Sequence, residues 1–194
     1  MFFMEISAEN WKYAEVDCPV YIVLDIPSPM AEKIQGIRQK FDPERAKLPA
    51  EITLTGSCGT GLVSQGQTVR EISEYLENAA KQISPIHVCF DKIDRFPNTD
   101  IYFLTLKDSP QLLQAQKIVS CCGIKFDPNP YPYRPHCTLS LRKVFQDEQT
   151  LFDLLFLPVP QESFTLEMLS VYALYDKNTC DLICKIPLGG SPGN

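Results

Sequence analysis

Only two histidines, His87 and His136, and one tryptophan occur in the 194 residues. No apolar run approaches the roughly twenty residues that a membrane-spanning helix needs, so no span is expected. The opening Met1-Phe2-Phe3-Met4-Glu5 has neither the basic start nor the sustained apolar core of a secretory signal. Positive charge is also short: 18 Lys and Arg against 24 Asp and Glu leave a formal net charge of −6. That excludes a broad, sequence-independent grip on long duplex nucleic acid, which needs a basic face. A small phosphate pocket survives the argument, because a few local donors suffice for it. Cysteine is plentiful, but metal and disulfide spacings are missing. The eight cysteines contain no C-x-x-C pair, and neither histidine stands at ligand spacing. They read as reduced thiols in apolar runs, and reduced thiols point to the cytoplasm.

What is present is an alternation of short strands and amphipathic helices. Residues 1–19 form an extension without an assignable role, and residues 189–194 read as a flexible tail, leaving 20–188 as the folded domain. Tyr21–Ile26 reads as a buried strand closed by Pro27 and Pro29. Met30, Ile34, Ile37 and Phe41 recur at helical spacing. A second strand is expected over Leu48–Thr55, followed by the glycine-containing loop 56–66, read as flexible. Val69, Ile72, Leu76, Ala79 and Ile83 mark a second helix. Strands over Ile86–Ile93 and Ile101–Leu106 are joined through Arg95-Phe96-Pro97-Asn98, a hairpin turn. A third helix uses Leu112, Ala115, Val119 and Cys122 and stops near Gly123. Residues 127–135 hold four prolines and lead stiffly into the next strand. A short helix at Thr150–Phe156 precedes strands at Phe164–Leu174 and Leu182–Ile186, with Asp176-Lys177-Asn178 as the turn. This mixture, with hairpins and few parallel crossovers, predicts an α+β fold with antiparallel sheets.

Two segments echo each other 85 positions apart: Ala50-Glu51-Ile52-Thr53-Leu54 and Pro135-His136-Cys137-Thr138-Leu139. In a strand, positions two apart share a face. Glu51 and Thr53 therefore point one way, as do His136 and Thr138, while Ile52, Cys137 and the leucines point into packing. Each strand presents one proton-transferring group and one hydroxyl, a kit suited to phosphodiester chemistry. His87, in His87-Val88-Cys89, has the same parity but offers a thiol in place of the hydroxyl, and it reads as an ordinary strand-end histidine.

With both motifs placed, the chain resembles the 2H phosphoesterase superfamily, in particular its 2′-5′ RNA ligase and cyclic phosphodiesterase-like branch. The family carries two H-x-[T/S] motifs on equivalent strands of two lobes. Here Glu51 replaces the first histidine. The hairpin Phe96-Pro97…Ile101-Tyr102-Phe103-Leu104 and the closing Val171-Tyr172-Ala173-Leu174-Tyr175 add to the likeness, which runs over about residues 20–188. The resemblance implies a bilobal fold, two pseudo-symmetric antiparallel sheets flanking a cleft with helices outside. It implies His136 as catalytic acid or base, with Thr53 and Thr138 as phosphate ligands and Glu51 in the other catalytic position. It also implies metal-independent chemistry with no cofactor, acting on a nucleotide or RNA terminus that carries a phosphodiester. Tyr133 and Arg134, just before the second motif, are expected to stack on a base or contact phosphate. Arg142 falls on the face of Thr138 if the strand persists, and Tyr172 is as suited to the core as to substrate. Glu51 leaves two readings open: an unusual acid–base pair with His136, or a degenerate site that binds without turnover.

Overall fold

The computed structural model describes residues 14–56, 58–141, 148–175 and 179–189. Arg142, the 176–178 turn and most of the expected N-terminal extension lie outside them. Nine strands and four helices alternate along the described residues. The helices are α1 (Met30–Phe41), α2 (Val69–Ala80), α3 (Pro110–Ser120) and α4 (Glu148–Leu155). The first sheet contains β1 (Val20–Asp25), β2 (Glu51–Thr53), β8 (Met168–Leu174) and β9 (Cys180–Pro187), in the order β2-β1-β8-β9. The second contains β4 (Phe90–Arg95), β5 (Tyr102–Leu106) and β6 (His136–Ser140), in that order. All the pairings are antiparallel, so the α+β expectation holds.

The two-sheet expectation needs one refinement. The run expected as a single strand over Ile86–Ile93 breaks at Cys89, giving β3 (Ile86–Val88), and the run over Phe164–Leu174 breaks at Glu167, giving β7 (Phe164–Leu166). β3 pairs with β7 in a separate two-stranded ladder. Each of these short strands continues at once into a larger sheet, so the ladder joins the two lobes along the chain. A period-two pattern is continuous through such a break, because alternation reports side-chain faces and not hydrogen-bonding partners.

The motif strands both lie at sheet edges, β2 in the first sheet and β6 in the second, and they pack against each other. Ile22, Leu24, Ile52, Leu54, Leu169 and Val171 form the buried side of the first sheet. On β6, Cys137 and Leu139 join the same apolar core. Burial pushes the Cys137 thiol up to about 11, and none of the eight cysteines is joined in a disulfide. Helix α1 buries Met30, Ile34, Arg38 and Phe41. The expected stripe member Ile37 is only partly buried, and Arg38 takes the inward position.

Candidate functional site

Register places the site. Asp25 pairs with Glu51 and Val23 with Thr53, while Tyr21 pairs with Tyr172 and Val23 with Ser170. These residues share the face of the first sheet opposite its core side. On β6, Thr105 pairs with His136 and Phe103 with Thr138, which sets the imidazole and hydroxyl on one face. A cavity of about 450 Å³ opens between the edge strands. Glu51, Thr53 and Thr138 line it, together with the apolar walls of Leu48, Tyr21 and Tyr172. Three of the four motif side chains thus meet at one space, from strands 85 residues apart.

His136 is 3% exposed and is not part of the lining. The edges of Phe96 and Phe103 approach it at 5.0 and 5.1 Å between ring centroids. Its Nδ1 lies 2.7 Å from the Arg134 carbonyl oxygen. A carbonyl only accepts, so Nδ1 carries the hydrogen and Nε2 holds the lone pair of the neutral ring. Burial lowers the pKa below the ordinary imidazole value; the Arg134 carbonyl and the charge of Glu51 oppose that shift, while Arg45 and Arg134 add to it. The neutral ring is a proton acceptor near pH 7.

Glu51, in the other motif position, is held by two arginines. Arg38 Nη2 donates to its Oε2 at 3.3 Å, and Arg45 Nη2 donates to its Oε1. Both carboxylate oxygens thus accept from permanent cations. Arg38 is fully buried, and it also donates from Nε to the Thr138 carbonyl at 2.9 Å and from Nη1 to the Leu48 and Pro49 carbonyls. Thr138 lies on an edge strand, whose outer carbonyls the sheet leaves unpaired, and Leu48 and Pro49 precede β2, so one guanidinium satisfies carbonyls on both sides of the groove. Sequence reasoning missed both arginines. A signal for Arg38 existed: it stands four residues after Ile34 and three before Phe41, a charge on an otherwise apolar helical stripe.

Tyr133 and Arg134 are not part of the cavity lining. The Tyr133 hydroxyl donates to the Thr53 carbonyl at 3.2 Å, and burial raises its pKa. It acts as a strut from the proline-rich segment to β2. Arg134 pairs with Asp94 at 2.7 Å, stacks over Phe103 at 4.8 Å, and lines a separate depression with Lys92 and Lys107. His87 is exposed, with Nδ1 2.8 Å from the Thr165 hydroxyl, which agrees with an ordinary strand histidine. Tyr172 lines the cavity and donates to Asp25 at 3.3 Å; Asp25 also accepts from Ser170 and Lys185, each at 2.7 Å. Among the described residues, no group of three His, Cys, Asp or Glu side chains could hold a metal ion, and no helix is long and apolar enough to cross a membrane.

Comparison with known proteins agrees with this architecture. Escherichia coli LigT, in its complex with 3′-AMP, superposes with a TM-score of 0.55 at 17% identity, covering 88% of this chain and 98% of that one. The same enzyme with NADP+ gives a TM-score of 0.54 at 16% identity, covering 88% of this chain and 97% of that one. A Thermus thermophilus protein gives 0.59 at 17% identity, covering 90% of this chain and all of that one. A protein of Oceanobacillus iheyensis with a provisional phosphoesterase name is 27% identical over 111 residues, which are 56% of this chain and 62% of that one. The chain therefore spans about three fifths of the length of that curated relative. The family model of the 2′-5′ RNA ligase superfamily matches residues 26–178, a span holding both motif strands, and the chain belongs to that superfamily of 2H phosphoesterases.

Proposed function

We propose that the chain is a 2H-type phosphoesterase for small nucleotides or short RNA ends that carry a 2′,3′-cyclic phosphate or a 2′-5′ linkage. The observation that carries this reading is the convergence of Thr53 and Thr138, from the two motif strands, on one cavity. Two hydroxyl donors can hold the nonbridging phosphate oxygens and stabilise charge that develops on them. The volume lies at the small-ligand end of the usual range for binding sites. Tyr21 and Tyr172, cross-strand partners, offer rings against which a base can lie. Nucleotide complexes of LigT with 3′-AMP and NADP+ support the same ligand class, and the net charge of −6 favours a small ligand over long RNA.

In this reading His136 is the proton acceptor. The ring stands outside the cavity lining, so this reading requires it to turn toward the bound substrate; its neutral Nε2 then takes a proton from water as the oxygen attacks phosphorus, the bond from phosphorus to a ribose oxygen breaks, and that oxygen is reprotonated from solvent. Hydrolysis of 2′,3′-cyclic AMP in the presence of a chelator is the test. Turnover should persist, His136→Ala should lower it about 10²–10⁴-fold, and Thr138→Val about 10²-fold.

A second reading is favoured by a specific observation, the capture of both Glu51 oxygens by arginines. It is a protein that binds nucleotide ends without turnover. Glu51→His separates the two. A gain of turnover from a silent wild type supports binding alone, whereas an active wild type weakened by the change supports the enzyme.

A further inference from the structure

The glutamate of the first motif brings a second residue to the cavity. Arg45 stands on the short 3-10 turn Arg45–Lys47, six residues before Glu51, and lines the cavity beside Thr53 and Thr138. Its Nη2 donates to Glu51, and its side chain is 12% exposed. Its Nε–H, in contrast, is shielded from solvent and has no acceptor. Buried polar groups without partners are rare enough to need an explanation. Arg38 cannot supply charge to a ligand in the same way, because its donors are already taken by Glu51 and the Thr138, Leu48 and Pro49 carbonyls. The two guanidiniums and one carboxylate leave an excess positive charge, and Arg45 is the one that borders open space. Its planar fork suits phosphate oxygens in pairs.

We propose that Arg45 is the phosphate-binding cation of this cavity, held in place by Glu51, so that the motif glutamate anchors a guanidinium instead of carrying protons. This rests on the reading that the cavity takes a nucleotide phosphate. Arg45 stays charged throughout; it stabilises the anion but does not act as an acid. The ligand class is a phosphate ester whose two nonbridging oxygens face the guanidinium, with the Thr53 and Thr138 hydroxyls completing the cradle.

The test compares adenosine 3′-monophosphate with adenosine by calorimetry, in the wild type, Arg45→Gln and Arg45→Lys. Arg45→Gln should weaken the monophosphate at least tenfold and leave adenosine within about twofold, and Arg45→Lys should recover part of the loss. Equal losses for both ligands, or none, overturn the assignment and leave the cavity as a nucleotide site. A wild type that binds neither ligand overturns the underlying reading. If Arg45→Gln does not fold, the wild-type Arg45 Nε–H resonance, identified by its absence in Arg45→Lys, gives the answer. It should shift saturably with the monophosphate and stay still with adenosine. An unmoved signal at saturating monophosphate overturns the proposal.

Discussion

His136 is a histidine kept from protons by its surroundings. Burial dominates its lowered pKa, outweighing the bond to Arg134 and the charge of Glu51. The unfolded chain therefore takes up this proton more readily than the folded protein. The contribution of the neutral ring to stability is complete above about pH 6.5, the unfolded value. It is lost as pH falls from there toward the lowered folded value. Urea unfolding should show a lower midpoint at pH 5.5 than at pH 7.5, and His136→Gln should flatten that difference. Asp94, Glu71 and Glu162, whose carboxyl pKa values are lowered by hydrogen bonds, lose their contributions only near or below about pH 4, their unfolded range. The two windows are separable. A variant with the full pH 5.5 loss would locate the titrating group elsewhere.

At the scale of elements, the glycine loop is tied down, against the expectation of a flexible segment at the cleft rim. Gly59 N–H donates to the Tyr131 carbonyl at 2.7 Å, Asn129 Nδ2 to the Gly56 carbonyl at 3.2 Å, and Ser64 Oγ to Asp127 at 2.6 Å. The proline-rich segment 127–135 thus rests on this loop and enters β6 from it. Gly61 permits the contact: a Cβ there would lie 2.0 Å from the Asp127 carbonyl oxygen. Backbone cannot yield as a flexible side chain can, so Gly61→Ala should cost roughly 1–3 kcal/mol in chemical denaturation. On the proposed function, the same change should lower turnover through displacement of β6. An unaltered midpoint would mean that the two segments part without penalty. Helix α2, by comparison, was legible from its apolar stripe, and in the structure a Thr68–Glu71 capping box fixes its start.

For the whole molecule, Arg38 joins what the sheets leave separate. One side chain on α1 bonds Glu51 on β2, the 48–49 segment before it, and the Thr138 carbonyl on β6. Asp42, at the end of α1, reinforces the junction by accepting from the Leu141 N–H at 3.1 Å. Removal of the guanidinium leaves one oxygen of Glu51, still paired with Arg45 through the other, and three carbonyls without their donor, so Arg38→Met should cost about 3 kcal/mol. Hydrogen exchange is the sharper measurement. Amides of Glu51–Thr53 and His136–Ser140 should lose protection together in the variant, whereas loss confined to α1 would show that the lobes are held by apolar packing alone.

Helix and strand periods, the two motif strands and the facing of their side chains follow from residues within a few positions of each other, and the sequence alone determined them. The shared facing of Thr53 and Thr138, which puts both on one cavity, belongs to this class. The arginine partners of Glu51, the diversion of Tyr133 and Arg134 away from the cavity, and the separate β3–β7 ladder were decided only by the tertiary structure. Each depends on where the chain returns, as when Arg38 meets a carbonyl 100 residues away. A charged residue announces in sequence that it needs a partner, but the choice of partner is made by packing across the groove, where burial makes an unpaired charge too costly to leave.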